Sequence, residues 1–385
     1  MGAHAAVAER YVQIAPGRAS GDRPWSYGDV RETPWNRPAA RSVDRRVNLD
    51  RSFRRPRNPQ VRRGSSIVGA VIGAAVAGVA LVPDRVGGSR FPLAALAALR
   101  PHVAAAALGV AGLLAIRPGS RPLAVGVGSA ALAGAASSGV RVRRRAATSL
   151  TFRSTSTPPS THLTVLAANV LVGKADTGAL ATMIERERPD LVSLPEAGPD
   201  YRDKLLPLVA ALGYRAWAST APGTSDGEGV VLLASARMGA VTVASGREMR
   251  HRYLRATGGA LGERRFYAVH PEAPMGPMRT GWWQADLEHV ERWYAEAPGS
   301  IVAGDFNATA DNAPFRAVLR RCRSAADGTG QGLVGTFPAG VPSWCGIQID
   351  HVLVPEDATT TRFAIFPVEG SDHRAVLAEI SLPPG

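Results

Sequence analysis

Cysteine is scarce. Cys322 and Cys345 are the only two in 385 residues, which excludes a disulfide-built scaffold and a four-cysteine zinc site. A single bridge between them stays open to a domain in an oxidising compartment. Lysine is just as rare: Lys174 and Lys204 stand among 45 basic residues, the rest being arginine. Coding preference explains that bias more simply than a demand for guanidinium chemistry. No internal repeat of roughly 20 to 50 residues runs through the stretch from Leu163 onward. The first apolar stretch begins more than 60 residues in, which disfavours a cleaved signal peptide.

What is present is charge, unevenly spread. A net charge of +13 suggests a nucleic-acid binder until it is located. Residues 1–150 carry +16 and residues 151–385 carry −3. Residues 1–63, with 14 arginines against 6 acids and no apolar periodicity, are expected to form a disordered tail. Arg54, Arg55, Arg57, Arg62 and Arg63 stand just before an uncharged run at 64–83, as a cytoplasmic flank attracted to anionic lipid would. Those 20 residues are long enough to cross a bilayer as a helix. Residues 91–116, interrupted by Arg100 and His102, and residues 122–140 are read as further spans. Residues 64–140 are thus expected to be a membrane anchor of three transmembrane helices. Three crossings from an inside terminus put the remainder outside the cytoplasm, although Arg141, Arg143, Arg144 and Arg145 oppose the positive-inside rule there. Residues 141–162, Ser-, Thr- and Pro-rich toward their end, read as a linker.

From residue 163 to 385 short β-rich runs alternate with amphipathic segments. Strands are expected at 163–168, 191–194, 230–233, 241–244, 266–269, 301–303, 349–354 and 375–380. Helices are expected at 179–188, 201–212, 278–295 and 313–320, which gives a mixed α/β domain. Polar residues gather where these strands end: Asn169, Glu196, His270, Asp305 with Asn307, Asp350 with His351, and Asp372 with His373. Rigid sheets commonly mount catalytic groups at such ends.

The stretches Ala168-Asn169-Val170, Pro189 to Glu196, Ala268-Val269-His270-Pro271, Gly304-Asp305-Phe306-Asn307-Ala308-Thr309, Ile349-Asp350-His351-Val352-Leu353 and Ser371-Asp372-His373-Arg374-Ala375-Val376 resemble the endonuclease/exonuclease/phosphatase superfamily, in its order. The resemblance implies a four-layer α/β sandwich, two packed mixed sheets flanked by helices. It also implies hydrolysis of a phosphate mono- or diester with Mg²⁺, or Mn²⁺ in its place, as cofactor. Glu196 and Asp372 would hold the metal. By the same resemblance Asp305 orients or deprotonates the attacking water. Asn169 and Asn307 would hold Asp305, the metal water or a phosphoryl oxygen. His270 and His373 form the acid/base or phosphate-stabilising pair, with Asp350 holding one ring nitrogen of His373 and favouring its imidazolium. Two positions depart from the family pattern: Pro195 stands where Gln is usual, and Leu171 where many nucleases carry Asp.

The anchor followed by this domain looks like bacterial membrane-anchored, VanJ-like members, which implies an extracytoplasmic enzyme acting on a lipid-linked or cell-envelope phosphate. A nuclease is the runner-up, because a domain at −3 is poorly supplied with the cations that nucleic acid demands. A non-catalytic membrane interaction module is the third reading. Arg250, Arg252, Arg255, Arg264 and Arg265 are expected to form an anion-facing patch or a solvated strand face. Trp282 and Trp283 are expected to sit partly in the core or at a membrane interface.

Overall fold

The computed structural model describes residues 89–151 and 161–383. The tail at 1–63 and the first expected span at 64–83 lie outside the described residues. The domain holds twelve strands among the described residues. One sheet runs in the order β11 (Thr359–Pro367), β12 (Arg374–Leu382), β1 (Thr161–Ala167), β2 (Leu191–Pro195), β4 (Val230–Ala234), β3 (Arg215–Ala218). The other runs β5 (Val241–Gly246), β6 (Tyr253–Gly258), β7 (Arg265–Val269), β8 (Ile301–Asp305), β10 (Asp350–Val354), β9 (Arg323–Ser324). Both are mixed, since β1 pairs parallel to β2 and β7 parallel to β8 while their other neighbours are antiparallel.

The two-residue period of a strand decides what each side chain meets. In β1, Leu163, Val165 and Ala167 face the other sheet, packing with Phe266, Ile301 and Val352. Leu166 faces outward with Ala168 to meet Leu180, Ile184, Tyr201 and Leu205. The last four belong to α4 (Thr177–Glu187) and α5 (Pro199–Val209). The outer face of the second sheet is covered by Trp283, Val290 and Phe315 of α6 (Pro277–Glu296) and α7 (Ala313–Val318). The order helix, sheet, sheet, helix is the expected four-layer sandwich. Ser193 Oγ donates to the Ala303 carbonyl at 2.9 Å, tying the sheets together inside the core.

The expected second and third spans are corrected. Among the described residues no helix is long and apolar enough to cross a membrane. Residues 91–116 break at Leu99 into α1 (Leu93–Ala98) and α2 (Arg100–Ala115). Arg100 neither snorkels nor shortens a span: it is buried against Asp311 of the sandwich domain at 3.4 Å. Asn312 Nδ2 donates to the Ala94 carbonyl at 2.8 Å, so this segment is part of the domain's wall. Residues 122–140 lie in α3 (Arg121–Thr151), a helix rich in Ala, Gly and Ser that also takes in the start of the expected linker. Gly128 of α3 packs beside Ala111 of α2, where a Cβ would meet that of Ala111 at an ordinary contact distance of 3.5 Å.

The bridge that the sequence left open is not formed: Cys322 and Cys345 are not joined by a disulfide. Cys322 is buried in the core behind the second sheet, its thiol reaching the Val318 carbonyl at 3.4 Å. Cys345 sits on a short turn, Ser343–Cys345, before β10.

Candidate active site

Parallel strands present like ends together, and an antiparallel neighbour adds its opposite end. Asn169 follows β1, Glu196 follows β2, and His373 precedes β12; on the second sheet His270 follows β7, Asp305 closes β8 and Asp350 opens β10. Asp350 lies directly across from Asp305 in the β8–β10 register. All of these ends meet at one end of the sandwich.

The amide of Asn169 joins the two sheets there. Its Nδ2 donates to Glu196 Oε1 and to Asp305 Oδ2, each at 3.0 Å, while its Oδ1 accepts from Leu171 N at 2.9 Å. Glu196 Oε2 accepts from Val172 N at 2.9 Å, and Asp305 Oδ1 from Asn307 N at 2.8 Å. Asn307 Nδ2 donates to the Pro271 carbonyl at 3.1 Å, beside His270. Positive φ is costly for residues other than glycine. Leu171, Val172, Glu196 and Asn307 adopt it, and the one other described case, Arg188, ends a helix. Backbone strain therefore concentrates where chemistry is expected.

The two histidines are buried alike, yet one is held neutral and the other cationic. His373 Nδ1 meets Asp350 Oδ2 at 2.9 Å, and its Nε2 lies 3.7 Å from Asp305 Oδ2. Burial alone would push His373 down, but the carboxylates of Asp350 and Asp305 outweigh it and lift it to about 10. His270 Nε2 stands farther from its carboxylates, 3.8 Å from Asp305 and 3.9 Å from Glu196. Burial lowers it to about 4 against the pull of Asp305. Burial also raises the Asp305 carboxyl above its ordinary value, opposed chiefly by His373.

Seven expected residues, Asn169, Glu196, His270, Asp305, Asn307, Asp350 and His373, are thus held together. Glu196, His270 and Asp305 offer ligand atoms within 4.8 Å of one another, as do Asp305, Asp350 and His373. Asp372 belongs to neither group: its side chain is 43% exposed at the rim, with Oδ1 3.9 Å from His373 Nε2. Leu171 and Pro195 contribute only backbone. Leu171 N donates to Asn169, and the Pro195 carbonyl accepts from Val170 N at 3.1 Å.

Sequence reasoning missed four supporting residues. Thr336 Oγ1 accepts from Asp350 N at 3.2 Å, and the Phe337 ring lies 4.9 Å from that of His373. Ser371 Oγ donates to the Asn169 carbonyl at 2.7 Å and accepts from His373 N at 3.0 Å; its place beside Asp372 and His373 was the available signal. His251 stacks on His270 with centroids 4.9 Å apart and planes at 16°. It was hidden in a stretch notable only for arginine. Those arginines form no single patch. Arg250 lies over Trp282 at 4.7 Å near the cleft, whereas Arg265 begins β7 at its far end and Arg264 reaches the Pro383 carbonyl. Trp283 is core, its Nε1 donating to the Phe306 carbonyl at 3.2 Å.

A two-sheet sandwich with clustered carboxylates, amides and imidazoles at its strand ends defines a class of hydrolases acting on phosphoester bonds. The sequence model of the Endonuclease/Exonuclease/phosphatase family matches residues 166–373, and the chain belongs to that family. Among solved structures it is similar to an endonuclease/exonuclease/phosphatase from Beutenbergia cavernae, at 19% identity over 58% of this chain and 72% of that one, with a TM-score of 0.48. It is similar also to a humanized D. rerio TDP2, at 18% identity over 57% of this chain and 99% of that one, TM-score 0.46. A third is the 3′ phosphatase NExo from Neisseria bound to product DNA hairpin, at 16% identity over 56% and 98%, TM-score 0.43. No curated protein matches the chain.

Proposed function

We propose that this chain is a membrane-anchored, divalent-metal-dependent phosphoesterase that hydrolyses a phosphate mono- or diester of a lipid-linked or cell-envelope compound. The observation that carries the catalytic part is the Asn169 amide, which holds the Glu196 and Asp305 carboxylates at 3.0 Å each beside a charged His373.

Two carboxylates so close repel one another unless a cation offsets their charge. Hard oxygen donors of this kind suit Mg²⁺, or Mn²⁺ in its place, with Glu196 as the principal ligand and Asp372 completing the set from the rim. Such an ion, when bound, would neutralise phosphoryl charge. Asp305, fixed by Asn169 and by Asn307 N, orients the attacking water and takes its proton. His373, held protonated by Asp350, faces the substrate with its Nε2 and stabilises the phosphoryl oxygens or the leaving group. Neutral His270 and the Asn307 amide donate or accept on the other side.

The membrane part rests on the uncharged run at 64–83 and on the hairpin of α2 and α3. That hairpin exposes Val110, Leu113, Ile116, Val125 and Leu132 by between 51% and 73%, an apolar surface that suits contact with lipid. With the arginine-rich tail inside, one crossing at 64–83 puts the catalytic domain outside the cytoplasm.

Full-length protein in detergent is expected to hydrolyse bis-p-nitrophenyl phosphate or p-nitrophenyl phosphate with Mg²⁺ and to stop on addition of EDTA. Turnover unchanged by EDTA, or none on either ester, would overturn the catalytic reading, and DNA tested alongside weighs the nuclease. A membrane-impermeant thiol reagent is expected to label the half-buried Cys345 in intact cells. Labelling only after permeabilisation would place the domain inside.

A further inference from the structure

His373 and His270 are held in place by different means. Nδ1 of His373 meets Asp350 at 2.9 Å, and that bond sets the direction in which its Nε2 points. His270 has no such bond: its Nδ1 is buried without a hydrogen-bond partner among the described residues. Its Nε2 lies 3.5 Å from Asn307 Nδ2, longer than an ordinary hydrogen bond. The torsion that turns an imidazole about its stem has broad, roughly two-fold preferences, so it does not fix the ring by itself. For His270 the restraint has to come from packing.

One face of His270 is covered by His251, with ring centroids 4.9 Å apart and planes at 16°. His251 is braced in turn. Its Nε2 stands 3.8 Å from Oε2 of Glu272, a side chain only 4% exposed. Glu272 Oε1 accepts from Arg279 Nη2 at 2.7 Å, from Arg279 Nε at 3.1 Å and from Ala273 N at 2.8 Å. Asp286 of α6, also buried, then ties two loops together. Its Oδ1 accepts from Arg250 N at 2.8 Å and its Oδ2 from Glu272 N at 2.9 Å. Arg250 and His251 precede β6, whereas Glu272 follows β7, two residues after His270. Two buried carboxylates thus hold the loop that carries His251 against the loop that carries His270. A reacting group works only when its supports lock its orientation, and this frame supplies the lock that His270 lacks at Nδ1.

We infer that His251 is a positioning residue: stacked on His270 and braced by Glu272, it sets the ring plane in which His270 Nε2 faces the reacting phosphoryl group. The stack is what acts, so another aromatic ring at position 251 suffices and a hydrogen-bonding side chain without a ring does not. The effect on turnover rests on the phosphoesterase reading. The effect on the His270 ring stands apart from it.

The test compares full-length wild type with His251→Phe, His251→Gln and His251→Ala. On p-nitrophenyl phosphate or bis-p-nitrophenyl phosphate with Mg²⁺, His251→Phe is expected to keep kcat within about threefold, whereas His251→Gln and His251→Ala lose roughly tenfold at unchanged KM. In parallel, NMR of ring-labelled histidine follows the 8 histidines of the chain, the His270 signal being assigned from its loss in His270→Gln. That signal is expected to be single and sharp in wild type and His251→Phe. In His251→Gln and His251→Ala it is expected to broaden or split, as the ring takes up a second orientation. One sharp His270 signal in all four proteins overturns the inference, and so does equal turnover in all four. Activity kept by His251→Gln and lost by His251→Phe also overturns it, because the contact with Glu272 and not the stack would then be what matters. A lowered melting temperature with an unmoved His270 signal would reduce His251 to a structural part. Wild type that hydrolyses neither ester overturns the phosphoesterase reading, and the NMR comparison still decides the stack.

Discussion

His270 and His373 stand on opposite walls of one cleft, 6% and 5% exposed, yet one is held near 4 and the other near 10. Burial disfavours charge on both. The difference is contact. Asp350 meets His373 at hydrogen-bond distance, 2.9 Å, whereas the carboxylates facing His270 stay at 3.8 Å or beyond. Under an ångström of separation, with the directional bond it permits, thus decides which imidazole carries a proton at neutral pH. One fold thereby keeps an acid and a base side by side.

The comparison breaks most completely if the carboxylates that Asn169 holds together are removed. Glu196→Ala and Asp305→Ala are each expected to lower kcat by about 10³-fold or more while leaving the melting temperature close to wild type. Near-wild-type turnover in either would remove that residue from the site. Asp350→Asn should lower kcat by on the order of 10²-fold. In the same variant the His373 titration, followed by NMR, should fall toward the ordinary histidine range; a value still near 10 would mean Asp350 is not its cause.

The two histidines should also leave opposite marks on stability, measured without metal. His373 is raised from 6.5 to about 10, so its contribution is complete below pH 6.5 and is lost as pH rises through 10. His270 is lowered from 6.5 to about 4, so its contribution is complete above pH 6.5 and is lost as pH falls through 4. Thermal melts of wild type, His373→Gln and His270→Gln across that range should show the two differences closing at opposite ends; closure at the same end would contradict the assignment. The smallest effect belongs to Phe337→Ala, which removes the ring beside the His373 cation. It is expected to cost roughly 1 kcal/mol of that charge's stabilisation. A few-fold loss in kcat would show it, and an unchanged pH profile would exclude it.

Eight of the strands, the four helices over the sheets and seven of the eight site residues were legible in the sequence, because each rests on a local pattern. Buried strands such as β2 read as continuous apolar runs, and motif residues directly follow them. β3, β9 and β11 were missed. They are sheet edges or short, with one side open to solvent and hence weak apolar alternation: β11 exposes Thr361 and Arg362 in mid-strand. β6, an inner strand, carries Arg255 and Gly258 and was masked by its charge. The span expected at 91–116 misled because hydropathy cannot see a partner. Arg100 inside an apolar run looks like a defect in a span until Asp311, more than 200 residues away, is seen to receive it. His251 was invisible for the same reason, since stacking on His270 depends on β6 and β7 lying side by side.

Val172 and Glu196 hold left-handed backbones that glycine would adopt without cost, and they hold them by bonding each other, Val172 N to Glu196 Oε2. An engineer seeking a more heat-resistant version would choose such positions early, since relieving them promises durability. The substitution that relaxes the loop at Glu196 also deletes the carboxylate on which the proposed chemistry depends. Durability and turnover are therefore in direct conflict at this position, and gains in heat resistance are better sought on the distant helical layers.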